Sequence, residues 1–165
     1  MSDEHGETVQ QHGRARVLAD AAARGLQIDI VARPAAHSLA EAAELIGVPP
    51  SGIVKTLVVK RHDGDYLFAL VPGGRKISWA KLRAAVGVNR LSLPDASLAL
   101  AATGYERGTI TPLGSVTAWP VFADASIVGR RIALGSGEHG YSAFVDADRL
   151  IASLDAVVAD ITDPE

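Results

Sequence analysis

The sequence predicts an α/β (α+β) fold: a mixed, mostly antiparallel sheet, curled toward a barrel, with several short helices around it. Two observations carry this. The β-prone runs come in hairpin pairs, the clearest being Ile53–Arg61 and Tyr66–Val71 around the turn His62-Asp-Gly-Asp65. The helical stretches are brief and fall irregularly between these runs, without the strict strand–helix alternation of a doubly wound parallel sheet.

The elements follow in order. A first helix is expected from Thr8 to Arg24, stopped by Gly25. Gln27–Ala32 alternates apolar and polar residues, as a half-buried strand does. Ser38-Leu-Ala-Glu41 is a capping box, in which hydroxyl and carboxylate each satisfy a free backbone N–H at a helix start. That helix ends at Gly47, and Pro49-Pro50 prevents its continuation. After the hairpin and the turn Pro72-Gly-Gly74, Ser78 caps a helix over Trp79–Val86 that Gly87 closes. Asn89–Leu93 reads as a short strand, and Asp95 caps a helix through Ala102. Further strands are expected near Ser115–Ala118, Val121–Ala123, Arg131–Leu134 and Tyr141–Val145. Asp146 opens a last helix, Ala156–Ile161 adds an edge strand, and residues 1–7 and 162–165 are expected to fray.

Composition narrows the function classes. With 165 residues, 48% hydrophobic and 21% charged, the chain suits one domain with an ordinary core and not a disordered polymer. No apolar run approaches the roughly 20 residues a membrane span needs, and the polar, acidic start is unlike a signal peptide. A cytoplasmic protein without a membrane partner is the expectation. There are no cysteines, which excludes disulfides, thiolate metal sites and a cysteine nucleophile. The five histidines are scattered without HxH or HExxH spacing, so neither a metal nor another cofactor is expected. Gly135-Ser-Gly137 lacks the spacing of a GxSxG elbow, and no Walker loop or GxGxxG follows a strand. Any catalysis must therefore rest on backbone donors, a lysine or the substrate's own groups.

Charge is polarised. Residues 51–90 hold eight basic side chains against Asp63 and Asp65, whereas residues 91–165 hold four basic and ten acidic ones. Such a segment either presents a basic face to phosphates or simply solvates a surface.

Two features stand out. Lys55 lies in the apolar strand Ile53-Val-Lys-Thr-Leu-Val-Val59, on one face with Leu57 and Val59. It either snorkels to solvent or sits in a pocket opposite an anion or a reacting carbonyl. The second is Thr103-Gly-Tyr-Glu-Arg-Gly-Thr-Ile-Thr-Pro-Leu-Gly114, where three glycines and a proline make a sharply turned loop. Its glycines allow a ligand close to the backbone N–H groups, and the plainer alternative is a helix stop and turn. Gly135-Ser-Gly-Glu-His-Gly140 reads either as a hairpin loop or as a wall of small residues beside a ligand.

Together and in this order, His37-Ser-Leu-Ala-Glu-Ala-Ala43, Gly47-Val-Pro49, Ile53-Val-Lys-Thr-Leu57, Tyr66–Val71, Thr103-Gly-Tyr105, Gly108-Thr-Ile-Thr-Pro112 and Gly135-Ser-Gly137 resemble the YbaK/prolyl-tRNA-synthetase-associated editing domain family. The resemblance runs from about His37 to Asp163 and implies a single editing domain of the freestanding kind. It implies hydrolysis of the ester between a wrongly attached amino acid and a tRNA, with tRNA-Pro carrying Cys, Ala or a similar small residue as the expected substrate. The alternative within the same fold is a non-catalytic tRNA-binding or regulatory module. By resemblance Lys55 is the catalytic residue; Thr56, Gly104, Gly108, Thr109, Ile110, Thr111, Pro112, Gly135, Ser136 and Gly137 bind substrate. The implied partners are the aminoacylated 3′ end of a tRNA and, transiently, prolyl-tRNA synthetase. Aminoacyl esters are already activated, so an oxyanion hole and positioning suffice without a strong protein nucleophile. The loop departs from close relatives in lacking a second glycine after Gly108, and Pro72-Gly-Gly74 lacks the acidic residue common after its first glycine.

Overall fold

A computed structural model describes residues 12–165. Helix α1 spans His12–Ala23, and the expected start at Thr8 lies outside the described residues, as do residues 1–7. Strand β1 (Ile28–Ala32) precedes α2 (Leu39–Ile46), whose capping box forms with a small change of partner. Ser38 Oγ accepts from Glu41 N at 3.0 Å, while the Glu41 carboxylate accepts from His37 N at 3.3 Å, one residue before the cap. A 3₁₀ turn at Pro50–Gly52 leads into the hairpin of β2 (Val54–His62) and β3 (Asp65–Pro72).

Strand β4 (Arg75–Ile77) and α3 (Trp79–Val86) follow, then α4 (Ala96–Thr103), capped by Asp95 as its side chain predicts. The chain closes with β5 (Val121–Asp124), β6 (Arg131–Gly135), β7 (Tyr141–Asp146), α5 (Ala147–Leu154), β8 (Val157–Ala159) and β9 (Thr162–Pro164).

The strands form one sheet ordered β1-β7-β6, a second ordered β2-β3-β5-β8, and the pair β4-β9. Among the described residues four ladders are antiparallel, and only β3–β5 and β5–β8 are parallel. A single parallel bridge, Ile53 to Ala133, joins the first two sheets and gives the curled, unclosed arrangement. Asn89–Leu93 fails to form a strand: only Ser92 bridges, to Lys60. Ser115–Ala118 forms none either, because this stretch is turned by Gly114 and held by Val116 N bonding back to Thr103 O at 3.0 Å. Residues 162–165, expected to fray, include β9, and Thr162 is fully buried.

The uninterrupted apolar run of β3 has a direct cause, since the strand is covered on both faces. Phe68 and Leu70 point into the larger core with Val17, Val54, Val58, Tyr105, Ile132 and Leu150. Leu67, Ala69 and Val71 point into a second core with Val59, Leu82, Phe122 and Ile161. A strand buried on both sides needs no polar alternation.

Candidate active site

The site begins with an unfinished sheet edge. Lys60 exchanges both backbone hydrogen bonds with Ser92 (2.7 and 3.1 Å), so its amide groups point away from β3. Backbone direction alternates along a strand, so the N–H and C=O groups of Val58 and Thr56 point the same way. Between the bridges at Ile53 and Lys60, β2 has no neighbouring strand on that side among the described residues. A cavity of about 370 Å³ fills the gap.

Its wall is made by Ile53, by Val54–Val58 of β2, Ala133–Gly135 of β6, Gly108 and Ile110 of the glycine loop, Leu93 and Pro94 before α4, and Ala96 and Ala99 within it. The lining is largely apolar. Among the described residues three cations, Arg33, Lys55 and Arg107, belong to it, and no carboxylate does. Lys55 is exposed while Val54, Thr56 and Val58 are buried, so strand alternation leaves the ammonium at the rim. Thr56 is 8% exposed, and its Oγ1 has no hydrogen-bond partner among the described residues. A hydroxyl in that state forgoes a bond that water once supplied.

Of the site residues predicted from sequence, Lys55, Thr56, Gly108, Ile110 and Gly135 line this one cavity. The others stand behind or beside it. Gly108 has φ 87°, a conformation that favours glycine, and it is exposed at the rim. Thr109 is buried; its Oγ1 donates to Glu106 O at 2.7 Å and its carbonyl accepts from Gly137 N at 2.9 Å. Thr111 is fully buried, its hydroxyl accepting from Leu113 N at 3.3 Å. Ser136 is also fully buried and donates to the Glu138 and Tyr141 carbonyls at 2.9 and 3.2 Å, which fixes the β6–β7 turn. Gly104 terminates α4. Pro112 lines a separate, smaller cavity with Arg24 and Trp119.

Gly135 explains why the two glycine segments meet. A side chain there would collide with the Ile110 carbonyl oxygen and come within 2.8 Å of the Thr109 carbonyl. The absence of Cβ lets β6 lie directly against the loop. Tyr105 anchors the loop from within, its OH donating to Leu113 O at 2.7 Å. Burial pushes the phenol up to about 12, with the Arg16 guanidinium opposing the shift, so it stays a donor throughout the physiological range. Across the loops, Glu106 meets His139 at 3.1 Å.

Sequence reasoning missed Arg33, Arg107, Tyr141 and Ser142 in the cavity wall. Arg33 directly follows β1, and its Nε donates to Ser142 Oγ at 2.9 Å. Arg107 lies inside the loop already singled out, and its charge was the available signal. The basic segment 51–90 is also less free than its composition suggests. Lys60 pairs with Asp63, Arg61 with Asp65, Arg75 with Asp124, and Lys81 with Asp160 and Asp163. Among the described residues no group of acidic and histidine side chains is placed to hold a metal ion, and no helix is long and apolar enough to cross a membrane.

Proline--tRNA ligase of Desulfovibrio desulfuricans is 37% identical over 99 residues, covering 60% of this chain and 17% of the ligase. The same ligase of Trichlorobacter lovleyi is 33% identical over 94 residues, covering 57% and 16%. The chain thus matches about a sixth of the length of these relatives. A crystal structure described as "a putative trans-editing enzyme for prolyl tRNA synthetase" superimposes with a TM-score of 0.84 at 26% identity, covering 92% of this chain and 97% of that one. The family model of the aminoacyl-tRNA editing domain matches residues 33–152, a span that contains every residue of the cavity wall, and the chain belongs to that family.

Proposed function

We propose that this protein hydrolyses the ester of a mischarged tRNA, acting in trans on tRNA-Pro bearing a small amino acid such as cysteine or alanine. The observation that carries the reading is the single cavity that Lys55, Thr56, Gly108, Ile110 and Gly135 share, apolar within and cationic at the rim. An aminoacylated tRNA end has the complementary layout: a small side chain, an ester, then a ribose and phosphates. Lys55, with Arg33 and Arg107, grips the phosphate and ribose of the terminal nucleotide. The amino-acid part enters the apolar gap, where the unpaired edge of β2 offers backbone donors and acceptors to its amino and carbonyl groups. The Gly108–Ile110 backbone approaches the ester carbonyl and supplies an oxyanion donor as charge develops on the oxygen. Attack comes from water, which releases the free amino acid, or, for cysteine, from the substrate's own thiol. The thiol forms a C–S bond to the carbonyl carbon as the C–O bond breaks and the ribose hydroxyl of the tRNA leaves. No protein nucleophile or metal is required for an ester this reactive. Binding through phosphates also predicts an affinity that falls as salt rises. Prolyl-tRNA synthetase is the expected source of the mischarged substrate.

Incubation with tRNA-Pro mischarged with cysteine, alanine or serine tests this. At least one ester should be cleared well above its rate in buffer. If none is, while the protein still binds acylated tRNA, the chain is a tRNA-binding module on the same fold.

A further inference from the structure

Helix α1 lies outside the family-matched span of residues 33–152, yet it is built into the back of the cavity wall. Val17 and Ala21 are buried in the main core, and Gly13 packs so closely on the Gly135–Gly137 segment that a side chain there would collide with the Gly137 carbonyl. The decisive group is Arg16. Its Nε and Nη2 donate to Gly114 O at 3.1 and 2.5 Å, Nη2 also reaches Thr103 O at 3.2 Å, and Nη1 reaches Gly104 O at 3.5 Å. The guanidinium carbon stacks 4.6 Å from the centre of the Tyr105 ring. One turn further along α1, Asp20 Oδ2 accepts from Gly114 N at 2.8 Å.

One planar side chain therefore ties the two ends of the glycine loop together, at residues 103–104 and at residue 114. The stretch between those ties supplies Gly108 and Ile110 to the cavity. Arg16 itself does not line the cavity, so its effect on a ligand passes through the loop. The geometry points to Arg16 as a positioning residue: it sets the spacing of the loop ends and thereby the placement of the backbone that faces the substrate. The planar guanidinium spreads its donors over three nitrogens, so it reaches carbonyls on two chain segments while its face stacks on Tyr105; an ammonium has its three donors on one nitrogen and no such face. Misplacing a catalytic backbone by about 1 Å can cost on the order of 100-fold in rate.

The turnover part of this inference rests on the deacylase reading, and the binding part does not. The probe is 3′-deoxy-3′-(alanylamino)adenosine, an amide that cannot be hydrolysed as the ester is, titrated alongside turnover of alanyl-tRNA-Pro. Arg16→Ala should remain folded at 25 °C with a lower melting temperature, bind the probe about 10-fold more weakly, and lose about 10- to 100-fold in kcat. Millimolar guanidinium should restore a substantial part of both while methylammonium restores neither, and Arg16→Lys should behave like Arg16→Ala. The inference is overturned if folded Arg16→Ala binds and turns over like the wild type, if its losses follow the unfolded fraction alone, or if guanidinium raises the melting temperature without restoring binding. Wild-type binding of the probe without ester turnover would sink the deacylase reading and leave Arg16 to be judged on binding. No binding and no turnover would overturn both.

Discussion

Lys55 and Thr56 are neighbours on β2, and strand alternation gives them opposite exposures with opposite consequences. Lys55 is exposed, so truncating it removes little packing. Lys55→Ala should melt at the wild-type temperature while ester turnover falls by about 100-fold or more, the loss expected when a charge-assisted contact to the substrate disappears. Full activity in that variant would make Lys55 a surface cation and nothing more. Thr56 inverts the pattern. Its buried hydroxyl has no partner among the described residues, so Thr56→Val exchanges an unmet polar group for a methyl and should stabilise the fold by about 1 kcal/mol. If the hydroxyl meets the substrate, the same variant should clear esters about 10-fold more slowly. Urea melts paired with turnover would show both, and a variant equal to the wild type in turnover would remove Thr56 from the site. The lysine was legible in the sequence as a cation on an apolar strand. The unpaired hydroxyl was not, because hydrogen-bond satisfaction depends on what surrounds a side chain after folding.

At the scale of elements, the site depends on close approach of the glycine loop and β6. Gly135 is the point of contact, and its neighbours there are backbone carbonyls, which cannot swing aside as a flexible side chain would. Gly135→Ala should therefore cost about 1 to 3 kcal/mol and push the loop off the cavity, so activity is lost even where the protein stays folded. A melt and an activity measurement on the same sample separate the two effects, and an alanine variant with wild-type turnover would show that the close approach does not matter. Local signals placed most elements well: Ser38, Ser78, Asp95 and Asp146 each cap the helix expected of them. The misses have a common cause. Asn89–Leu93 and Ser115–Ala118 alternate or carry residues that suit a strand but find no ladder, because a strand needs a partner as well as a local pattern. Thr162–Pro164 looks like a polar tail and becomes β9 because β4, far away in sequence, offers an edge. Helix α1 was legible as a helix, but its service to the loop was not, since Arg16 and Gly114 are brought together only by the fold.

The whole molecule is closed at its C-terminal end by one buried carboxylate. Asp124, at the end of β5, is 2% exposed. Its Oδ1 accepts from Ile161 N at 3.1 Å and Thr162 Oγ1 at 2.9 Å, and its Oδ2 from Ser126 N at 3.2 Å and from the Ser126 hydroxyl. Arg75 of β4 stands 3.9 Å away and also donates to Thr162 Oγ1 at 2.6 Å. The carboxylate thus joins the central sheet to the β4–β9 pair and to Ile161 in the second core. Burial pushes its pKa up, but the donors from Ser126, Ile161 and Thr162 together outweigh it and hold the group below its ordinary value of 3.8. A carboxylate whose folded value lies below its unfolded one contributes stability that is fully present above the unfolded value. That contribution is lost as pH falls through the folded value. Asp124→Ala strands several donors and a nearby cation, so it should cost about 3 kcal/mol at pH 7. Asp124→Asn, which keeps the shape but not the charge, should cost less, and its deficit should shrink as pH falls below 3.8 because the wild type then protonates too. Urea titrations of both variants at pH 7 and in the acid range measure this, and a deficit for Asp124→Asn that stays constant with pH would show that shape, and not charge, makes the closure. Asp124 is not among the residues that line the cavity, so folded Asp124→Asn should clear esters at the wild-type rate, in contrast to the loss expected of Lys55→Ala.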